Sequence, residues 1–266
     1  MLLQRLVAHS RVLDSETPAF YKNAPVRWQL NLTADGELAN PELLDLADPT
    51  DKARKNGVLR DVPYVTKTSA DAPAIGTDTG EYLLGWFSSD GDDEQTAKAR
   101  ARAGRRTTLS RALHARWAQA IKDPMPKAVT IFLHSEAAQA VVQPAGWAPN
   151  HLIQIAVSGV PVADLAAARA FWASEAARRK SGHGGVGLVW GQAGPLSKTL
   201  PQQLNMRLVP LATMNSALVC ANKPIHTYDH TDNLTSTIPI CLECGRRAVS
   251  ADDLGEDGAG TRRHFN

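Results

Sequence analysis

The opening residues place Leu2, Leu3, Leu6, Val7 and Leu13 near one face at helical spacing, which predicts a short amphipathic helix over 1–13. Val26, Trp28, Leu30 and Leu32 then alternate with polar neighbours, the period of a half-buried strand. Ala34-Asp35-Gly36 supplies turn chemistry, and Leu43 to Leu46 is expected to return as a partner strand. The polar stretch 48–57 reads as a loop. Val58 to Val65 and Tyr82 to Phe87 read as strands, separated by the Thr/Ser/Ala/Gly-rich stretch 66–80. Residues 94–121 carry the clearest helical pattern, with Leu109, Leu113 and Trp117 as its apolar stripe and Pro124 and Pro126 ending it. Short buried strands are expected at Val129 to Leu133 and Leu152 to Val157, with Ser135 capping a helix that runs to Val142.

An Ala-rich helix follows at 162–180, carrying Phe171 and Trp172. Gly182, Gly184, Gly185 and Gly187 read as a flexible linker before a strand at Val186 to Trp190. No GxxxxGK[ST] pattern accompanies them, so a phosphate loop is not expected. Beyond Pro195 the chain is loop-rich, with short strands expected at Met206 to Pro210 and Ala217 to Val219. The expected fold is α+β, with short antiparallel strands, several helices and many loops. Three segments suggest themselves: 1–92, an N-terminal α+β segment; 93–200, a helix-rich middle; and 201–266, a loop-rich C-terminal part with a C-x₂-C pair, ending in an Asp/Gly-rich stretch that suggests truncation.

Composition narrows the class. The 266 residues are 43% hydrophobic and 21% charged, enough for a substantial core and unlike a disordered chain. No apolar run reaches the 18 or so residues of a membrane span, and Arg5 and Arg11 interrupt the only signal-like stretch. Three cysteines make no disulfide framework, so a reducing, cytoplasmic setting without a membrane partner is expected.

The net charge of +2 conceals an asymmetry. Lys98, Arg100, Arg102, Arg105, Arg106, Arg111 and Arg116 follow one another without an acidic residue, directly after the acidic run Asp90, Asp92, Asp93 and Glu94. On a helix, Lys98, Arg102, Arg105 and Arg106 share roughly one side. Such a face neutralises phosphates and releases their counterions. A solvated helix face is the alternative.

Cys241-Leu-Glu-Cys244-Gly245 has the spacing of half a zinc knuckle, and His226 with His230 adds an H-x₃-H pair nearby. Zinc on Cys241, Cys244, His226 and His230 is one reading, with Cys220 and His264 as further ligand candidates. Two ordinary thiols is the other. Asp229-His230, Asn233 and the cysteines faintly echo an HNH-type metal nuclease, without its spacing or second cysteine pair. No Ser–His–Asp or Cys–His nucleophile set stands out.

Lys67-Thr-Ser-Ala-Asp-Ala-Pro-Ala-Ile-Gly-Thr-Asp-Thr-Gly-Glu-Tyr-Leu-Leu-Gly85 resembles, without a gap, the "RTSG..PNFL.DN..YVLG" signature of the large subunit of type I-C CRISPR interference complexes (Cascade). Met1-Leu-Leu-Gln-Arg-Leu is similar to that family's "MILQAL", and Ala168-Arg-Ala-Phe-Trp172 to its "VRAYW". Gly187-Leu-Val-Trp-Gly-Gln-Ala-Gly-Pro-Leu196 resembles "CLVTGE.GPI". Ala217-Leu-Val-Cys-Ala-Asn222 resembles "SLVSFN", and Tyr228 lies near the family's "SYG". These motifs occur in the family's order over nearly the whole chain.

The resemblance implies a non-catalytic subunit at the 5′-handle end of the CRISPR RNA, with Cascade backbone and handle-binding subunits as partners. It implies contact with the protospacer-adjacent motif in target double-stranded DNA and presentation of the complex to the helicase–nuclease. Lys67, Thr68, Ser69, Asp78 and Thr79 are the expected DNA contacts within the signature. Lys98, Arg100, Arg102, Arg105, Arg106 and Arg111 are expected on phosphates, and Asn222 and Tyr228 carry the later motif. Pro73 and Gly85 also agree with the signature, whereas Ala74 and Thr79 stand where the family has Asn. The resemblance implies no cofactor. The family's C-terminal helical bundle has no counterpart among these 266 residues, and the cysteine pair has none in the signature. An HNH-like nuclease and a zinc-stabilised nucleic-acid-binding scaffold are the alternatives.

Overall fold

The computed structural model describes residues 2–13, 18, 20–65, 71–88, 91–198, 200, 203–204, 206, 211–214, 216–219 and 237–253. Among them are seven α-helices and eight strands, a mixed α+β fold. In chain order these are α1 (Leu2–Leu13), β1 (Tyr21–Leu32), β2 (Leu44–Asp45), β3 (Val58–Pro63), β4 (Thr77–Thr79), α2 (Gly80–Leu83), α3 (Asp93–Ala120), α4 (Pro124–His134) and α5 (Glu136–Ala140). There follow β5 (Leu152–Val157), β6 (Val160–Pro161), a 3₁₀ turn at Val162–Asp164, α6 (Ala166–Lys180), β7 (Ser181–Val186), β8 (Ala193–Ser197) and α7 (Leu242–Asp253). Contacts group these into two units: Tyr21–Ala173, and Met1–Phe20 together with Ser174–Asn266.

The unit Tyr21–Ala173 is built on β1. Its even-numbered residues from Val26 to Leu32 are buried, so the alternation that marks a strand also defines its core face. The sheet runs β2-β1-β5-β4, with β3 also on β1 and β6 on β5. Most pairs are antiparallel as expected, but β1 and β5 are parallel, with Leu30 beside Ile155. A parallel pair needs a long crossover, and here more than a hundred residues, including α2 to α5, separate the two strands. Gln154, buried in β5, is satisfied by the row of amides beside it: its Nε2 donates to Gln29, whose Nε2 donates to Asn31 at 2.7 Å. Trp117, Phe132, Ile153 and Trp172 are among the largest fully buried side chains.

Four expected strands resolve differently. Val129 to Leu133 lies in α4: Asp123 accepts the Met125 N–H at 2.8 Å as N-cap and Pro124 takes the first turn. Proline fits that position because the missing N–H has no intrahelical acceptor there, so the residue read as a stop is a start. Tyr82 to Phe87 begins in α2, a single turn in which all four residues are buried. The third is the glycine cluster. Gly182, Gly184 and Gly185 lie in β7, which pairs antiparallel with β8, and the chain turns at 187–192 where a strand was expected. Residues 217–219 form no strand, while Leu204 and Ser216 make an isolated bridge.

The second unit packs α1 against α7. Val7, Val189, Ile240, Cys244 and Ala248 form its buried cluster, flanked by Leu3, Leu6 and Ile238. Gln4 Nε2 donates to the Val189 carbonyl at 2.8 Å, tying α1 to the end of the β7–β8 hairpin.

Candidate nucleic-acid interface

Asp92 caps α3 by accepting the Gln95 N–H at 2.7 Å, and Asp93 and Glu94 complement the positive end of the helix. The buried stripe is Ala103, Thr107, Ser110, Leu113, His114 and Trp117. Leu109, expected in that stripe, is 43% exposed. The stripe is partly polar because two of its members, Thr107 and His114, bond backbone groups of the loop and turn at 76–81.

That loop is the second half of the signature. Asp78, an expected DNA contact, is only 3% exposed. Its carboxylate accepts the N–H groups of Ala74 and Thr79, each at 2.8 Å, so it organises the loop from inside and does not face a duplex. Thr79 is half-buried at the start of α2 and makes no side-chain cap. The Gly76 N–H donates to His114 Nε2 at 3.0 Å, and His114 Nδ1 donates to the Ser110 carbonyl at 2.8 Å. Those two bonds fix the neutral tautomer, and burial pushes the imidazole down to about 4. Gly76 has φ +64° and its Cα faces Val162, where a β-carbon would lie 2.7 Å from Cγ2. Gly80 admits Trp86 equally closely, and Trp86 meets Trp147 edge-on at 5.7 Å.

The cations of α3 are not equivalent. Glu81, with a side chain 10% exposed, receives Arg102 Nε at 2.6 Å on one oxygen and Arg106 Nη1 at 2.5 Å on the other. Arg106 Nε also donates to Asp71 at 2.7 Å, and its guanidinium lies 5.1 Å from the centre of the Tyr82 ring. The Tyr82 hydroxyl in turn accepts the Ala72 N–H at 3.2 Å, and Thr107 donates to the Glu81 carbonyl at 3.0 Å. For Arg106, burial works against the charge, but the hydrogen bonds to Asp71 and Glu81 outweigh it and hold the group above its ordinary value. Arg106 is therefore a clamp between α3 and the signature loop. The expectation of cations without counter-charge is corrected for Arg102 and Arg106, because their partners come from elsewhere in the chain.

Lys98 pairs with Glu94 at 2.5 Å on the open surface, where such a pair is weak and exchangeable. Arg100 stacks over Phe87 at 5.4 Å. Arg105 is exposed and has no ion pair among the described residues. The Arg111 side chain is half-buried, and its Nε lies buried without a hydrogen-bond partner among the described residues. Lys98, Arg102 and Arg105 flank a shallow concavity floored by Ala99 and Ala101.

Lys67, Thr68 and Ser69 lie outside the described residues, as do Asn222, Tyr228, His226 and His230. Their neighbours are placed: Val65 is buried, and Asp71 is held by Arg106. Cys241 and Cys244 sit at the start of α7, and no cluster of three or more metal-binding side chains occurs among the described residues. No described helix is long and apolar enough to cross a membrane. Glu81, Asp71 and His114 escaped sequence reasoning. A lone acid directly before the apolar run Tyr82 to Phe87 is the available signal for Glu81.

The profile of a CRISPR-associated protein family, Cas_Csd1, matches residues 4–251. The chain belongs to this CRISPR-associated family. The match spans the signature loop, the cationic helix, the hairpin and the cysteine pair, and so places the chain in CRISPR defence. No individually curated protein matches it.

Proposed function

We propose that this CRISPR-associated chain is the non-catalytic large subunit of a type I-C-like Cascade. In that role it sits at the 5′-handle end of the CRISPR RNA beside the handle-binding and backbone subunits. It meets the protospacer-adjacent motif in double-stranded DNA and helps to recruit the helicase–nuclease. The observation that carries the reading is the clamp. Within the segment resembling the family signature, residues 71–85 are fastened through Asp71 and Glu81 to the helix that bears the exposed cations, and Asp78 ties the same loop together from inside.

This arrangement suits motif search physically. Phosphate contacts fix register without reading sequence, and a short loop beside them reads a few base edges. Guide pairing supplies the remaining specificity, so the protein's own contacts are few and short-lived. Lys98 and Arg105 are the phosphate side of this division, and Lys67, Thr68 and Ser69 the base side.

Co-expression with the neighbouring genes, followed by sequencing of the co-purified RNA, tests the reading. The expected result is one discrete repeat–spacer RNA with this chain below the stoichiometry of the backbone subunit. A purified RNA-free chain that joins no complex overturns it.

A further inference from the structure

The cysteine pair occupies a position that its spacing alone does not reveal. Cys241 immediately precedes α7, and its Sγ accepts the Cys244 backbone N–H at 3.2 Å. The Cys241 carbonyl accepts the Gly245 N–H at 3.0 Å, so sulfur fills the side-chain role of an N-cap. The two side chains leave the same first turn, and this spacing keeps their Cα atoms at about 5–6 Å, within disulfide range. They differ in access. Cys241 is half-buried, whereas Cys244 is 4% exposed and packs in the cluster with Val7, Val189, Ile240 and Ala248. Both residues line an open cavity of about 350 Å³, together with Trp190 and Gln192.

We propose that Cys241 and Cys244 are a reversible redox pair that reacts with a small hydroperoxide. Cys241 is the residue that meets the oxidant, and Cys244 resolves the product. The Cys241 thiolate attacks a peroxide oxygen; the S–O bond forms, the O–O bond breaks, and the departing oxygen takes a proton to leave as water or alcohol. The resulting sulfenic acid is then attacked by the Cys244 thiolate. The S–S bond forms, the S–O bond breaks, and hydroxide leaves with a proton as water. Two thiols lose two electrons and two protons, and the hydroperoxide gains them. A small dithiol reverses the change by thiol–disulfide exchange. Because Cys244 belongs to the α1–α7 cluster, drawing its sulfur toward Cys241 alters the packing of that unit.

The test uses the full chain, reduced, dialysed against chelator and treated with hydrogen peroxide. Peptide mapping is expected to find a Cys241–Cys244 linkage and a loss of two hydrogens in intact mass, both reversed by dithiothreitol. In the reduced chain Cys241 should alkylate at least about tenfold faster than Cys244. Cys241→Ser keeps an oxygen cap and should fold as the parent does while forming no linkage. Cys244→Ala should stop at sulfenic acid on Cys241. A linkage to Cys220, sulfinic acid on Cys241 with Cys244 still reduced, or zinc retained through the chelator and blocking oxidation overturns the proposal.

Discussion

At the scale of single residues, the loop is held by groups that have exchanged exposure for hydrogen bonds. Asp78 satisfies two backbone N–H groups from a buried position. Asp78→Ala should therefore cost about 2–4 kcal/mol, since buried donors lose their acceptor. Urea denaturation measures this, and a loss below about 0.5 kcal/mol would sink the structural role. His114 makes a pH-dependent contribution. Its folded value of about 4 lies below the 6.5 of the unfolded chain, so the unfolded state binds the proton more readily. The stability it supports is present in full above 6.5 and is lost as pH falls through 6.5 toward 4, by linkage on the order of 3 kcal/mol. His114→Gln should flatten stability against pH over that window. An unchanged acid slope would show that other groups carry it. Neither role is legible in the sequence: Asp78 stands in a motif that suggests a surface part, whereas its burial depends on β4 pairing with β5, more than seventy residues away, where Asp78 lies beside Ile153.

At the scale of elements, strong periodicity and turn chemistry were readable, and short apolar runs were not. β1 and α3 carry their periods over enough residues to declare themselves. Val129 to Leu133 is a five-residue run, apolar except for Thr130 and too short for either period to win, and the cap at Asp123 decides it. The Arg-rich character of α3 was equally plain, but which cations face solvent was not. Glu81 and Asp71 select Arg102 and Arg106, leaving Lys98 and Arg105 outward. The double variant Lys98→Glu with Arg105→Glu should leave thermal stability within about 0.5 kcal/mol of the parent. In the same variant, the slope of log affinity for duplex DNA against log salt should flatten by about 2. Arg106→Ala should do the reverse in kind, lowering stability by about 1–3 kcal/mol by leaving Glu81 and Asp71 short of a partner. Its effect on binding should fall on motif duplexes more than on random ones. An unchanged salt slope in the double variant would remove phosphate binding from this face.

At the scale of the molecule, the unit comprising Met1–Phe20 and Ser174–Asn266 is discontinuous in the chain. A linear reading recovered the amphipathic face of α1 but had no means of finding its partner, which lies more than two hundred residues away in α7. Leu3, Leu6 and Val7 meet Cys244 and Ala248 there, and Val7 is 1% exposed. The other unit draws its core from Trp117, Phe132, Ile153 and their neighbours, none of which belongs to the α1–α7 cluster. Among the described residues each unit has buried clusters of its own, and protection follows the contacts a segment itself makes. Val7→Asp places a carboxylate in the smaller cluster without a partner and should release α1 from α7. Hydrogen exchange of the full chain reads the outcome directly. Amides of α7 and of the β7–β8 hairpin should lose at least about tenfold in protection, while those of β1 and β5 keep theirs. Equal loss in both sets would mean that the two cores open as one cooperative body, and the hairpin's tie to α1 through Gln4 would then be incidental to the stability of the whole.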